Sequence, residues 1–367
     1  MERNDLEKIR LEKIEEMRSE GIEPYPTRAN QTHRNQEAIL AFEEAEKLGQ
    51  EEPINASLVG RIRAMRLMGK IAFVHIEDGT ARIQLFFRIN DVGEAGLQQL
   101  KDLFDIGDYI EAQGSLFRTK TGEISLHVQS FRMLAKAVTP LPAAKDELVD
   151  GKIIRHATLN DPETRFRQRY ADLAVNPQVR EIFRVRANTV RALREFLDQM
   201  DFIEVETPIL QPIYGGAAAK PFVTFHNQLK QELFLRISFE LYLKRLIVGG
   251  FDRVYEIGRD FRNEGVSFKH NPEFTQIEFY MAYADYHKVM EMTENMVAYV
   301  CDKVLGTRKL EFRGNTIDVS PPWRRLELRQ GIIDTTGIDI TAHPDAPGLE
   351  AAMKAKNYPF KPGSPRG

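Results

Sequence analysis

Hydrophobic and polar positions along the chain fall into three successive textures. Leu6, Ile9, Ile14 and Met17 recur at helical spacing among charges, which predicts a helix over 5–20 closed by Gly21. Glu23-Pro24-Tyr25-Pro26 reads as an extended exit, and a second polar helix is predicted over 36–48, stopping at Gly49. From Ile54 to about Lys136 the pattern changes to short alternating runs, SLVGRIRAMRLMG, KIAFVHIED, ARIQLFFRI, DYIEAQGSLFRT and ISLHVQSFRML. Gly60, Asp78-Gly79, Gly107 and Thr121-Gly122 supply turns. Residues 139–161 are rich in Pro, Ala and charge and read as a linker.

Longer elements follow. A short basic helix is predicted over 163–173, then a long helix over 179–200 with Ile182, Val185, Leu193, Leu197 and Met200 on one side. Phe202 to Thr207 reads as a strand that Pro208 terminates. After Tyr214 the run Gly215-Gly216-Ala217-Ala218-Ala219 has only small side chains, so it either admits backbone close to a ligand or is a connector. Ser238 is expected to cap a helix over 239–248, stopped by Gly249-Gly250. Residues 253–283 predict two long strands joined by a polar loop, Gly265 to Pro272. Arg262 and Glu264 share a face of the first strand, while Phe274, Gln276, Glu278 and Tyr280 share one of the second; Arg259 breaks the pattern by falling with Tyr255 and Ile257. A helix over 284–304 carries a core stripe of Val289, Met292, Met296 and Val300. A hairpin is expected over 310–319 and another helix over 323–333, with a Pro/Gly-rich, frayed end beyond Asn357.

Composition narrows the class. A chain of 367 residues holds two or three domains and buries a core without staples. The single Cys301 excludes a disulfide framework and a cysteine zinc cluster; it reads as a small buried hydrophobe in a reducing, cytoplasmic setting. No apolar run approaches the ~18 residues of a membrane span, and Met1 leads straight into a charged helix with no signal-peptide pattern. The net charge of −3 excludes a uniformly basic nucleic-acid coat but not local patches. The five strands of 54–138 predict a small closed barrel of the OB type, a fold that commonly takes single-stranded nucleic acid. Phe73, Gln84 and Arg66 suit base stacking, base-edge and phosphate contacts there. Equally, Phe73 reads as core and Gln84 as an ordinary strand residue.

The run FRNEG followed by HNPEFT resembles motif 2 of class II aminoacyl-tRNA synthetases, and YGGAAAKPF with ELYLKRLIVGGFDRVYEIG resembles the lysyl branch. The likeness extends from EKIRLEKIEEMRSEGIEPYP to MAYADY and a little beyond. It implies an α+β architecture: a helical extension (1–53), an OB-fold anticodon-binding barrel (54–138), a linker (139–162), and a class II antiparallel-sheet domain flanked by helices, incomplete, over 163–367. It implies ATP-dependent activation of L-lysine and transfer to tRNA(Lys) by a cytoplasmic homodimer. By position, Arg262 is implied to be catalytic, clamping the substrate carboxylate and α-phosphate. Glu264, His270, Asn271 and Phe274 join it around ATP, and Gly216, Glu240, Glu278 and Tyr280 around lysine. Arg66, Phe73, Gln84 and Glu123 are implied to grip the anticodon, and helix, strand and Pro208 to form the dimerising motif 1. Such chemistry needs charge neutralisation and in-line positioning more than a general base.

The chain departs from the pattern in places. Lys220 and Phe239 stand where the family usually has Arg and Pro. Nothing in this sequence matches the motif 3 arginine, the acidic Mg²⁺ ligands or a second lysine-pocket carboxylate, so no metal ligand is expected here and the chain reads as ending before motif 3. The residues alone leave other readings open. Glu278 could pair with an arginine such as Arg236, and Glu240 could merely favour the helix dipole. The whole chain could be a non-catalytic paralogue that binds tRNA or a synthetase subunit, or a sibling ligase for aspartate or asparagine. GGAAAKPF and ELYLKRL weigh against the sibling, and the N-terminal barrel against an enzyme that lysylates protein.

Overall fold

The computed structural model describes residues 4–50, 52–142, 145–149, 152–156, 159–267 and 269–365. They pack as two compact units, 1–181 and 182–367.

In the first unit, helices α1 (Asp5–Ser19) and α2 (Asn35–Lys47) precede strands β1 (Asn55–Met68), β2 (Ile71–Glu77) and β3 (Arg82–Arg88). Helix α3 (Ile89–Leu103) then leads to β4 (Tyr109–Arg118) and β5 (Ile124–Ala135). The strands close into a barrel in the order β1-β2-β3-β5-β4, with β3 and β5 parallel and every other pair antiparallel. All five predicted strands are present. Helix α3 was not anticipated, because Gly93 and Gly96 interrupt its stripe; Leu97, Leu100 and Leu103 nonetheless bury against the barrel core. Only half of the α1 stripe is used. Ile14 and Met17 are buried, whereas Leu6 and Ile9 are 59% and 48% exposed. Polar bonds hold α1 to its own unit: Lys13 pairs with Asp105 at 3.0 Å, and Arg10 donates to the carbonyls of Ala137 and Ile106.

The predicted linker overlaps residues 143–144, 150–151 and 157–158, which lie outside the described ones. Its described part includes an antiparallel hairpin, β6 (Lys145–Val149) with β7 (Lys152–His156). The predicted basic helix is two short ones, α4 (Pro162–Arg167) and α5 (Arg169–Val175), broken at Gln168. Arg165 and Arg169 both serve the fully buried Asp172, at 3.0 and 2.6 Å.

Helix α6 (Pro177–Asp198) leads to β8 (Ile203–Glu204) and β9 (Leu210–Gln211), then the hairpin β10 (Val223–His226) and β11 (Gln231–Leu235), which sequence patterning did not reveal. Helix α7 (Glu240–Val248) precedes the long pair β12 (Arg253–Phe261) and β13 (Glu273–Met281). Strand β12 is central, antiparallel to β13 and parallel to β8. Strand β8 is far shorter than the predicted 202–207, because Thr207 leaves the ladder: its backbone N–H and hydroxyl both donate to Glu256. One face of the sheet is dry. Tyr255, Ile257, Ile277, Phe279 and Met281 pack with Leu197 and Phe202, and with Met292 of α8 (Tyr286–Leu305). Cys301 of α8 is buried, as expected. The hairpin β14 (Lys309–Phe312) with β15 (Asn315–Asp318) follows.

The helix expected from Trp323 starts later, as α9 (Leu328–Thr336). Glu294 takes the Trp323 N–H at 2.7 Å and Arg325 at 2.8 Å, holding that stretch extended until Glu327 caps the helix. A last helix, α10 (Ala346–Ala355), was not anticipated.

The barrel contains a position where any side chain meets backbone. At the irregularity between Gln113 and Gly114, a Cβ on Gly114 would fall on the His127 carbonyl oxygen. Gly114→Ala is therefore expected to cost about 1–3 kcal/mol of barrel stability. Urea unfolding followed by fluorescence measures this, and an unchanged midpoint would mean the strands have room.

Candidate active site and nucleic-acid interface

The second face of the β12–β13 sheet is polar. The register places Glu256 opposite Glu278, Gly258 opposite Gln276 and Asp260 opposite Phe274, so these six share one face. Arg236, just beyond β11, lies across it. Its Nη1 donates to Glu256 at 2.5 Å, its Nε to the Arg259 carbonyl at 2.9 Å, and its guanidinium stacks under the Phe239 ring at 4.2 Å. Gly258 makes room for this: a Cβ there would sit 2.6 Å from Arg236 Nη2. Phe239, one of the departures noted above, thus covers a buried cation. Lys220, the other, accepts the Asn263 N–H through its carbonyl.

Sequence reasoning placed Arg262 and Glu264 within the first strand; the ladder stops at Phe261, and both lie at the start of the loop. They nevertheless share a cavity of about 280 Å³ with Gly265, Lys269, His270, Asn271 and Phe274. All five residues expected around ATP are therefore brought together. Arg262 is fixed between two supports. Its Nε and Nη2 donate to the Ile237 carbonyl at 3.3 Å, and its guanidinium lies 5.1 Å from the centre of the Phe274 ring.

Glu278 does not line that cavity. It lies four residues along the strand from Phe274, about 13 Å away. There it accepts from Ser238 Oγ at 2.6 Å, Gln276 Nε2 at 2.7 Å and Tyr280 OH at 3.2 Å. No Arg236 bond reaches it; Arg236 bonds to Glu256, so the structural pairing left open above is not formed. Three neutral donors hold Glu278, and among the described residues no cation is bonded to it. Burial, then the charges of Glu278 and Glu240, push the Tyr280 phenol well above its usual value, so it stays a donor. Gly216 closes the pocket. Its φ of +90° suits glycine alone, and a Cβ there would meet Glu240 Cβ and Ser238 Oγ at 2.7 Å. Helix α7 begins one residue later than predicted, with Ser238 Oγ accepting the Glu240 N–H at 3.1 Å. Glu240 itself pairs with Lys244 at 2.5 Å in the first turn. Gly216, Glu240, Glu278 and Tyr280 thus form a second cluster beside the first.

Sequence reasoning missed Glu256 and Asp260 altogether, and considered Arg236 only as a partner of Glu278. Their only signal was the period-two match of Glu256, Gly258 and Asp260 to the polar face of β13.

In the barrel, Arg66, Phe73, Gln84 and Glu123 line one cavity of about 490 Å³, together with Met65, His75, Arg82 and Thr121. Val74 takes the core side of β2 and Phe73 the cavity side, stacked 5.0 Å from Phe86. Gln84 is buried, not a surface residue, and donates to Glu123. His75 Nε2 lies 2.9 Å from the same carboxylate. Burial works to raise Glu123, but the bonds from Gln84 and His75 outweigh it and keep the carboxyl below its usual value. His75 and Arg82 were not anticipated. Pro208 is exposed and turns a corner through its carbonyl, which accepts from Gln211 at 2.9 Å. Among the described residues no three His, Cys, Asp or Glu side chains are grouped to hold a metal ion.

Residues 161–357 match the model of "tRNA synthetases class II (D, K and N)", and residues 56–134 match "OB-fold nucleic acid binding domain". The chain belongs to the class II tRNA synthetases of this D, K and N group. Among curated proteins it is similar to the "Lysine--tRNA ligase" of Clostridium botulinum (strain Loch Maree / Type A3), 46% identical over 98% of this chain and 68% of the relative. It is similar also to those of Roseiflexus castenholzii, 47% identical over 99% and 72%, and Chloroflexus aurantiacus, 48% over 97% and 70%.

Arg236 is 3% exposed and compensates Glu256 directly. Arg236→Met is expected to destabilise the second unit by about 3–5 kcal/mol, because it leaves a buried carboxylate unpaired. Urea titration tests this; a loss below about 1 kcal/mol would mean that the pair is dispensable.

Proposed function

We propose that this chain activates L-lysine with ATP and passes the lysyl group from lysyl-adenylate to the 3′ end of tRNA(Lys). The observation that carries the reading is Glu278, a carboxylate held by three neutral donors with no cation bonded to it among the described residues, on the same sheet face as the Arg262 cavity. A cation desolvated in that pocket requires such a counter-charge. The ε-ammonium of lysine supplies it, with Tyr280 as a second polar contact and Glu240 facing the α-ammonium. The stem of the substrate then runs along the sheet towards Arg262.

There the lysine carboxylate attacks the α-phosphorus of ATP. A bond forms between a carboxylate oxygen and phosphorus, and the bond to the bridging oxygen breaks to release pyrophosphate. Both reactants are anions, so the planar guanidinium of Arg262 serves by holding both through paired donors. Phe274 stacks on adenine, Glu264 accepts from its amino group, and His270 and Asn271 meet the outer phosphates. Bound Mg²⁺ would neutralise charge on the ATP phosphates. In the barrel, Phe73 stacks an anticodon base while Arg66, Gln84 and Glu123 read its edge and phosphate. The exposed Ile203, Ile209, Leu210 and Ile213 around Pro208 suit a homodimer contact. Among the described residues no helix is long and apolar enough to cross a membrane; the family likeness is what supports a cytoplasmic location.

Lysine-dependent ATP–pyrophosphate exchange tests the reading. Glu278→Gln should lower kcat/KM for lysine by about 10²–10³-fold, since an unpaired buried ammonium costs several kcal/mol. Exchange that ignores lysine, or survives this change, would contradict it. Phe73→Ala should weaken tRNA binding by about 1–3 kcal/mol and leave exchange untouched; equal tRNA affinity would remove the barrel from recognition.

A further inference from the structure

Asp260 is the group that neither the fold nor the proposed chemistry accounts for. It is fully buried, yet neither carboxylate oxygen accepts a hydrogen bond among the described residues. Buried carboxyl groups are rarely left so. Arg236 Nε is 3.4 Å from Oδ1, but that nitrogen donates to the Arg259 carbonyl, and Nη1 is committed to Glu256 and Thr207. Charges of both signs surround it. Glu256 shares its strand face, and Glu278 lies on the partner strand. The loop contributes Arg262, and the turn before α7 presents only the uncharged Phe239 towards Arg236. Glu240 is held by Lys244. Asp260 therefore stands between the cavity at Arg262 and the pocket at Glu278 and feels the charge of both. Burial is the largest influence on it and raises it; attraction to Arg236 works against that, repulsion from Glu278 adds to it, and the balance leaves its carboxyl up at about 7.

We propose that Asp260 is a further specificity residue of the amino-acid pocket, a carboxyl that carries a proton while the pocket is empty and releases it when a cationic side chain neutralises Glu278. The idea rests on the lysine reading given above. Its logic is charge matching. With Asp260 neutral, the empty pocket is spared a second uncompensated anion; with Asp260 ionised, the occupied pocket gains one more negative charge towards a dication. A neutral amino acid leaves Glu278 bare and cannot displace the proton, so it receives no such gain. The step balances as one proton passed to solvent from each protonated Asp260 carboxyl when lysine binds, which averages about half a proton per lysine at pH 7, where half of the free carboxyls are protonated.

The test is calorimetry of lysine binding to the full chain at pH 7, in phosphate and in Tris, whose ionisation heats differ. The wild type should release about half a proton per lysine, and its Kd should fall roughly eightfold between pH 6 and pH 7.5. Asp260→Asn should bind lysine with no proton release and a flat profile. Carboxyl-detected carbon NMR of the ligand-free wild type supplies the second measurement, with Asp260 expected to titrate near 7. Release that persists in Asp260→Asn, or binding of wild type without release, would overturn the proposal. So would an Asp260 carboxyl titrating below 5, whatever the ligand does. An absence of lysine heat with Asp260 still titrating near 7 would instead overturn the lysine reading on which the proposal rests.

Discussion

The Arg236–Glu256 ion pair, laid flat over Gly258, is the interaction on which the second unit depends. Both side chains are nearly inaccessible, and a buried cation is tolerated only when fully engaged. Here the engagement spans the neighbouring elements: Thr207 after β8, the end of β11, Phe239 before α7, and the carbonyl of Arg259 on β12. By tying these together the pair sets where Ile237 and Ser238 lie. Ile237 offers its carbonyl to Arg262, and Ser238 offers its hydroxyl to Glu278. One structural cation thus fixes the orientation of one positive and one negative ligand-facing group without using either.

Polarity along the sheet follows. The Arg262 end, with its stacked Phe274 and the loop through Asn271, suits a polyanion with a flat base; the Glu278 end suits a cation on an apolar stem. A sheet does this well because residues on one strand face recur every ~6.6 Å, so a substrate laid along it meets successive side chains of opposite charge. The barrel repeats the device on a smaller scale. Glu123 holds Gln84 and His75 around a cavity lined by Phe73, so that the polar atoms of the cavity are fixed in place.

Much of this was legible in the sequence, and the failures share one cause. Strands of the barrel were readable because alternation is local and turns are marked by glycine. The polar face of β13 was readable for the same reason. The end of the first strand was misplaced by three residues because RNE alternates as smoothly as the strand before it. Nothing local reveals that Arg262 gives its backbone N–H to Pro272 and its side chain to Ile237. Glu256 and Asp260 were invisible, and Arg236 was assigned the wrong carboxylate, because their roles arise only when β11, β12 and the Thr207 corner meet. The same holds for the short β8, where Glu256 takes Thr207 out of the ladder, and for the late start of α9, where Glu294 holds Trp323 and Arg325. Helices α3 and α10 were lost to interrupted or weak stripes, a failing of periodicity and not of tertiary context.

The central claim is that the pocket selects by charge at the far end of an apolar stem. Comparing lysine with norleucine, which keeps the four-carbon stem and lacks only the ε-ammonium, isolates that charge in a single calorimetric measurement on the intact chain. The account predicts that lysine binds at least about 100-fold more tightly, the penalty of leaving Glu278 uncompensated being several kcal/mol. Norleucine binding within threefold of lysine would contradict it.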